Sequence, residues 1–225
     1  MNENAEAQRV AVIAGASGLV GGETLQLLLQ AEYYHQVIAL VRRPLEVNHP
    51  KLQQITVNFS ELPRLPSFAG ADVFCALGTT MKQAGSRQAF RAVDYDAAFA
   101  LARVTAEDAA RQFLLVSSID ANPQSKTFYL RVKGELEEAI KSLPFQSFHI
   151  FRPSFLVGDR PETSPAERAG IVVANALEFA FVGKLKRYSA VAVCDLAAAM
   201  LAAAHRAQPG LHLYEYEQIL ALAPG

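Results

Sequence analysis

The stretch that most constrains this chain is Gly15-Ala16-Ser17-Gly18-Leu19-Val20-Gly21, with three glycines spaced three apart. A β-branched run, Val10 to Ile13, precedes it and reads as a buried strand; Thr24, Leu25, Leu27 and Leu28 after it open a helical pattern. Strand, glycine turn and helix in that order predict a dinucleotide-binding turn. Gly15 allows the tight turn, Gly18 lets the backbone approach a pyrophosphate, and Gly21 lets the helix pack close to the strand. The helix N-terminus then offers free N–H groups and the positive end of its dipole to phosphate. Ser17, Leu19 and Val20 lie in the same loop and join the glycines as expected cofactor contacts.

The chain has 225 residues, 51% of them hydrophobic, and a formal net charge of −1. That suits one α/β domain with a full core and argues against nucleic-acid binding by charge alone. Met1 to Gln8 reads as a flexible polar tail, neither signal nor transit peptide, ahead of a single domain over 9–225. The most apolar candidate for a membrane segment, Ala169 to Val182, is interrupted by Asn175 and Glu178, so no membrane partner is expected. Cys75 and Cys194 are far apart in sequence and read as reduced thiols of a cytoplasmic protein; no metal-ligand spacing is visible.

Further strands are predicted at Gln36 to Arg42, Gln54 to Asn58, Ala71 to Gly78, Gln112 to Ser117 and Gln146 to Arg152. Helices are predicted at Asp94 to Arg111 and Lys126 to Ser142. This alternation predicts βαβ units and a doubly wound parallel sheet. Farther on, Ser164-Pro165-Ala166-Glu167 reads as a helix start, Tyr188 to Val193 as a short strand, and Asp195 as the cap of a Leu196 to His205 helix, together a small substrate-side cover. His149, inside a strand, reads as a satisfied core histidine.

An NAD site places an acid about 20 residues after the glycines, on the ribose 2′-hydroxyl. Here Arg42 and Arg43 stand at the end of the second strand. Paired arginines suit a 2′-phosphate, so NADP(H) is expected over NAD(H). Leu77 and Gly78 end the fourth strand, at the edge where ligands of open α/β sheets bind. Lys82, Ser86, Arg87 and Arg91 follow, either near substrate or on a solvated helix surface.

Tyr129 and Lys133 stand four apart, on one helix face, after a strand that ends in Ser117-Ser118. With a nucleotide beside them these groups can serve hydride transfer to or from a small carbonyl or alcohol. A tyrosine hydroxyl exchanges a proton with the substrate oxygen, and a nearby lysine cation favours its phenolate and can also hold ribose. A serine hydroxyl stabilises charge as it develops on that oxygen. Ser118 is preferred to Ser117 because it lies further past the strand. The alternative on the same residues is an NADPH-sensing binding protein with little or no catalysis.

Gly15-x-x-Gly18-x-x-Gly21, Val116-Ser117-Ser118, Tyr129-x-x-x-Lys133 and Phe151-Arg152-Pro153 together resemble the atypical short-chain dehydrogenase/reductases. Leu77-Gly78-Thr79-Thr80, Lys82-Gln83-Ala84-Gly85, Phe128 to Glu135 and Asp159-Arg160 narrow the likeness to the Tat-interacting-protein-like oxidoreductases and their bacterial relatives. The resemblance implies a Rossmann fold of strand order 3-2-1-4-5-6, with room for a short seventh strand. It implies NADP(H), one of Ser117 and Ser118 with Tyr129 and Lys133 as catalytic groups, and Pro153, Phe155 and Leu156 near the nicotinamide. Many of these enzymes carry an asparagine where Asp94 stands here. A monomer or a homodimer is expected.

Overall fold

The computed structural model describes residues 9–59, 61–62, 67–158 and 183–223. The glycine turn joins β1 (Arg9–Ala14) to α1 (Leu19–Gln30). There follow β2 (Tyr34–Val41), β3 (Leu52–Thr56) and β4 (Asp72–Cys75). Next come the short helices α2 (Met81–Ala84) and α3 (Arg87–Arg91), a π-helical segment at Ala92–Ala97, and α4 (Ala98–Glu107). The second half holds β5 (Gln112–Val116), α5 (Phe128–Lys141), β6 (Ser147–Phe151) and β7 (Leu156–Val157). A 3-10 turn (Gly183–Tyr188), β8 (Val191–Ala192), α6 (Val193–Arg206), β9 (Gly210–Tyr214) and α7 (Tyr216–Leu222) complete it.

Seven strands form one parallel sheet in the order β3-β2-β1-β4-β5-β6-β9, which is the predicted order with a seventh strand added. Side chains alternate across it. Ile13, Val37, Phe74, Leu114 and Phe151 face one apolar layer with Leu25 and Leu28 of α1 and Met200 of α6. Val12, Ile38, Val73, Leu115 and Ile150 face the other, with Leu101 of α4 and Leu136 and Ile140 of α5. Fully burying one such leucine contributes about 2 kcal/mol relative to leaving it in water. Both faces are covered, as parallel sheets require.

Three expectations need correction. The strand expected at Tyr188 to Val193 is mostly the 3-10 turn, and only Val191–Ala192 is extended, pairing with β7 outside the main sheet. The seventh strand is instead β9, paired with β6; its Leu211 and Leu213 are exposed, so as an edge strand it lacks the continuous apolar run of a buried one. Asp195 does not cap a helix. α6 begins two residues before it, after Ala192, and places Asp195 in the first turn, where it favours the dipole. The helix expected from Asp94 starts earlier, at Arg87, because Ser86 caps it by accepting the Ala89 N–H. The helix start at Ser164 and the apolar stretch Ala169 to Val182 lie outside the described residues.

At the amino ends of the central strands a buried polar network replaces apolar packing. Asp72 accepts two bonds from the Arg111 guanidinium through Oδ1 and one through Oδ2, one from Tyr34 at 2.7 Å and one from Gln112 at 2.8 Å. The Gln112 carbonyl meets His149 Nε2 at 3.2 Å, and the Tyr214 hydroxyl meets His149 Nδ1 at 3.0 Å. His149 is thus a satisfied core histidine held in one tautomer, with Nε2 the donor. Burial, and secondarily His212, pull its imidazole down to about 4.

An unfolded histidine titrates at about 6.5, so below that pH protonation favours the unfolded chain. The stabilising contribution is present above pH 6.5 and drains away toward pH 4, about 3 kcal/mol in all. Urea unfolding at pH 7 and pH 4.5 is expected to show the wild-type chain losing about 2 kcal/mol more than a His149→Gln variant over that interval; equal losses would contradict it.

Candidate functional site

The strand order reverses direction between β1 and β4, and ligands of open α/β sheets bind in the crevice at such a point. The register sets Ala14 level with Leu40 on one side and Cys75 on the other, so the loops after β1, β2 and β4 share one edge. Gly15 has φ +89°, and a Cβ there would lie 2.4 Å from the Ala76 carbonyl oxygen. A Cβ on Gly21 would lie 2.1 Å from the carbonyl oxygen of Gly15. Both glycines are therefore sterically required, one by the β4 end and one by the turn itself. Gly18 bonds back to the Gly15 carbonyl at 2.9 Å and precedes α1 with no side-chain cap and no acid in the first turn. Ser17 and Gly18 are exposed and Leu19 is half-buried, while Val20 turns into the core. The first N–H groups of α1 have no intrahelical acceptor, and with the exposed Gly18 they form a cradle that fits a dinucleotide pyrophosphate.

Arg42 and Arg43 follow β2 directly and are both exposed. Leu77 is half-buried and Gly78 exposed beyond β4. The adjoining Lys82-Gln83-Ala84-Gly85 motif shapes its own helix, since Thr80 and Gln83 make a reciprocal capping box for α2, and Gly85 ends it at φ +72°. Of the charges around it, Lys82 is exposed, Arg87 lies over the Phe128 ring and Arg91 pairs with Glu135 at 2.5 Å.

On the far side of the crevice, α5 carries Tyr129 and Lys133 on successive turns. The half-buried Tyr129 ring packs at 5.7 Å from the Phe90 ring. Lys133 is buried, and its ammonium lies 2.8 Å from Oδ1 of the equally buried Asp94. Burial alone would lower the lysine's pKa; the Asp94 carboxylate, with smaller help from Tyr129 and Cys75, more than reverses this, and the net shift is upward. Cys75 beneath it is a fully buried thiol pushed up to about 11, which makes it no nucleophile at neutral pH.

The two serines differ. Ser117 donates to Glu137 Oε1 at 2.5 Å, and Glu137 in turn takes a two-armed bond from the Arg152 guanidinium at 3.0 and 2.5 Å. Among the described residues the Ser118 hydroxyl makes only a 3.2 Å bond to the neighbouring Ile119 carbonyl. The Ser117–Glu137–Arg152 set escaped the sequence reading, although Arg152 and Pro153 stood in a motif there. Gly134 also went unread: a Cβ on it would fall 2.3 Å from the Asn122–Pro123 backbone, so α5 approaches the loop after Ser118 only because residue 134 is glycine.

Pro153 is buried and its carbonyl accepts the Ile119 N–H at 2.9 Å; Leu156 is half-buried in β7; Phe155 is 67% exposed. The described part of the expected cover does sit over the strand ends. Ser154 donates to the Ser189 carbonyl, Arg187 reaches Asp120 at 2.9 Å and Glu215 at 3.0 Å, and the Tyr188 hydroxyl bonds Asp120 at 2.9 Å. A cavity of about 470 Å³ opens between the 3-10 turn and α7, lined by Leu185 to Tyr188 and Glu215 to Gln218; neither Ser118, Tyr129 nor Lys133 borders it.

Comparison with known proteins agrees with this geometry. The NAD(P)H-binding family matches the chain over residues 15–206. Protein HTATIP2 of Rattus norvegicus is 37% identical over 160 residues, covering 69% of this chain and 66% of that one, so the chain spans just under two thirds of that relative. Protein FMP52, mitochondrial, of Debaryomyces hansenii is 34% identical over 157 residues, covering 68% and 69%. Among solved structures, the Bordetella bronchiseptica enzyme WbmH in complex with NAD+ superposes with a TM-score of 0.66 at 15% identity, covering 92% of this chain and 75% of that one. Among the described residues no helix is long and apolar enough to cross a membrane. With a glycine cradle at the switch point of a Rossmann sheet and relatives of this kind, the chain belongs to the NAD(P)H-binding family.

Proposed function

We propose that the chain is an NADP(H)-dependent oxidoreductase that interconverts a small carbonyl compound and its alcohol. The observation that carries this reading is that Lys133, paired with Asp94 beside Gly78, and Ser118, just past the end of β5, both lie at the carboxyl edge of the sheet that bears the glycine cradle, with Tyr129 one turn before Lys133 on α5. The bound nicotinamide supplies or accepts the hydride. The chain's own residues do the rest. The α1 N-terminus and Gly18 hold the pyrophosphate, and Arg42 and Arg43 take the 2′-phosphate that distinguishes NADP(H) from NAD(H). Leu77, Gly78, Pro153, Phe155 and Leu156 wall the nicotinamide end.

Tyr129 exchanges the proton with the substrate oxygen, and Ser118 donates a hydrogen bond to that oxygen as negative charge develops there. Lys133 holds the ribose and sets the positive field at the tyrosine. Ser117, bound to Glu137, is spoken for, which favours Ser118 for the substrate role. The exposed Phe155 and Met81 suit a small, partly apolar substrate. The free thiols of Cys75 and Cys194 suit a reducing compartment, and we place the protein in the cytoplasm, as a monomer or homodimer.

Calorimetry is expected to show NADPH bound more tightly than NADH. The Arg42→Ala, Arg43→Ala double variant should lose about 10- to 100-fold for NADPH and little for NADH; equal losses for both nucleotides would remove the 2′-phosphate role. In a carbonyl panel monitored by NADPH absorbance, Tyr129→Phe should reduce kcat by about 10²- to 10⁴-fold without weakening NADPH binding. NADPH binding with no consumption across the panel would favour the nucleotide-sensing reading instead.

A further inference from the structure

Asp94 is a carboxylate in the core, 1% exposed, on the one described stretch where the helix widens from α to π. Such single wide turns are frequent at functional sites. Its two oxygens are divided between two elements. Oδ2 accepts the backbone N–H of Thr79 at 2.8 Å, and Oδ1 faces the Lys133 ammonium at 2.8 Å. The Gly78 position lies directly above the pair: a Cβ there would be 3.5 Å from Asp94 Oδ1 and 3.8 Å from Lys133 Nζ. One carboxylate thus joins the loop after β4, the widened helix and the lysine of α5.

Fold stability does not call for this charge. A neutral amide could accept the Thr79 N–H equally well, and a buried ion pair is a poor source of stability because both partners lose their hydration. We infer that Asp94 is a positioning residue: its carboxylate pins the Lys133 cation under the Gly78–Thr79 loop, so that the lysine is presented, charged, to the ribose of the bound nucleotide. The inference rests on the proposed nucleotide-dependent function and names what keeps its lysine competent.

The surroundings of Lys133 leave this role to Asp94. From β4 comes Cys75, whose raised thiol carries no charge at neutral pH. From α5 itself come Tyr129, a phenol, and Glu137 one turn on, which is bound by Arg152 and Ser117. The strongest influence on Lys133 is burial, which disfavours its charge, and Asp94 is the main influence opposing it. Asp94→Asn keeps the Thr79 acceptor and removes the opposition. In that variant burial wins, and the lysine loses its proton as the pH rises through a lowered pKa.

The test is a pH titration of the lysine side-chain carbons by NMR, with Lys133 assigned by comparison with Lys133→Met. In the wild-type protein Lys133 is expected to stay charged past 10.5; in Asp94→Asn it should titrate about one pH unit or more lower. A wild-type Lys133 that titrates below 10.5, or an unchanged midpoint in the variant, overturns the inference without need of any nucleotide. Calorimetry with NADPH adds the second readout. From one pH unit below to one unit above the midpoint that NMR gives Lys133 in Asp94→Asn, that variant should lose about three- to tenfold in affinity, the wild-type protein should change by no more than about twofold, and Lys133→Met should be weak and level throughout. A level profile in Asp94→Asn overturns the inference. Absence of NADPH binding by the wild-type protein overturns the proposed function and the nucleotide half of the inference, and the NMR titration still judges the hold of Asp94 on Lys133.

Discussion

Between the end of β1 and the end of β4 there is no room for one methyl group. A side chain at Gly15 would meet the Ala76 carbonyl, and one at Gly21 would meet Gly15 itself. This contact fixes where α1 begins and how steeply it leaves the sheet. It also fixes what the helix N-terminus faces, since the strand order reverses at the same point. The bare backbone that the packing demands is the backbone that a diphosphate can approach. Structural and binding requirements coincide on the same atoms, so neither glycine is free to change for the sake of the other role.

The buried charges sort by the end of the sheet they occupy. At the amino ends, Asp72 is saturated by Arg111, Tyr34 and Gln112, and the chain of bonds continues to His149 and Tyr214. Every member has a partner inside the protein, and a network so satisfied rigidifies its surroundings. At the carboxyl ends the sets are smaller and open toward the crevice: Asp94 with Lys133, and Glu137 with Arg152 and Ser117. Here buried ions border exposed Gly78 and the half-buried Tyr129. The same cost of desolvation is met in both places, but only at the carboxyl edge do the charged groups lie where a ligand can use them.

The glycine turn, the parallel alternation of strands and helices, and the Tyr129–Lys133 pair were all legible because each depends on neighbours in the chain. A turn needs its own glycines, and residues four apart on a helix share a face whatever packs against them. Three kinds of feature were not legible. β9 is short, half-exposed and interrupted by His212, so only its pairing with β6 identifies it as a strand. The π segment has no compositional signal, yet it carries Asp94 to Lys133. Ser117 and Ser118 are adjacent and chemically identical, and only Glu137, 20 residues beyond Ser117, distinguishes them.

By itself the sequence determined the doubly wound parallel sheet, the cradle at its first turn and the residue types available for proton and hydride chemistry. These follow from periodicity and from the steric freedom of glycine, which act over a few residues. The tertiary structure decided which of those groups meet: that Asp94 engages Lys133, that Glu137 and Arg152 occupy Ser117 and leave Ser118, and that Gly134 lets α5 close on the loop beyond it. Such contacts join residues tens of positions apart, and their partners are chosen by the packing of whole helices against the sheet, which no local pattern encodes.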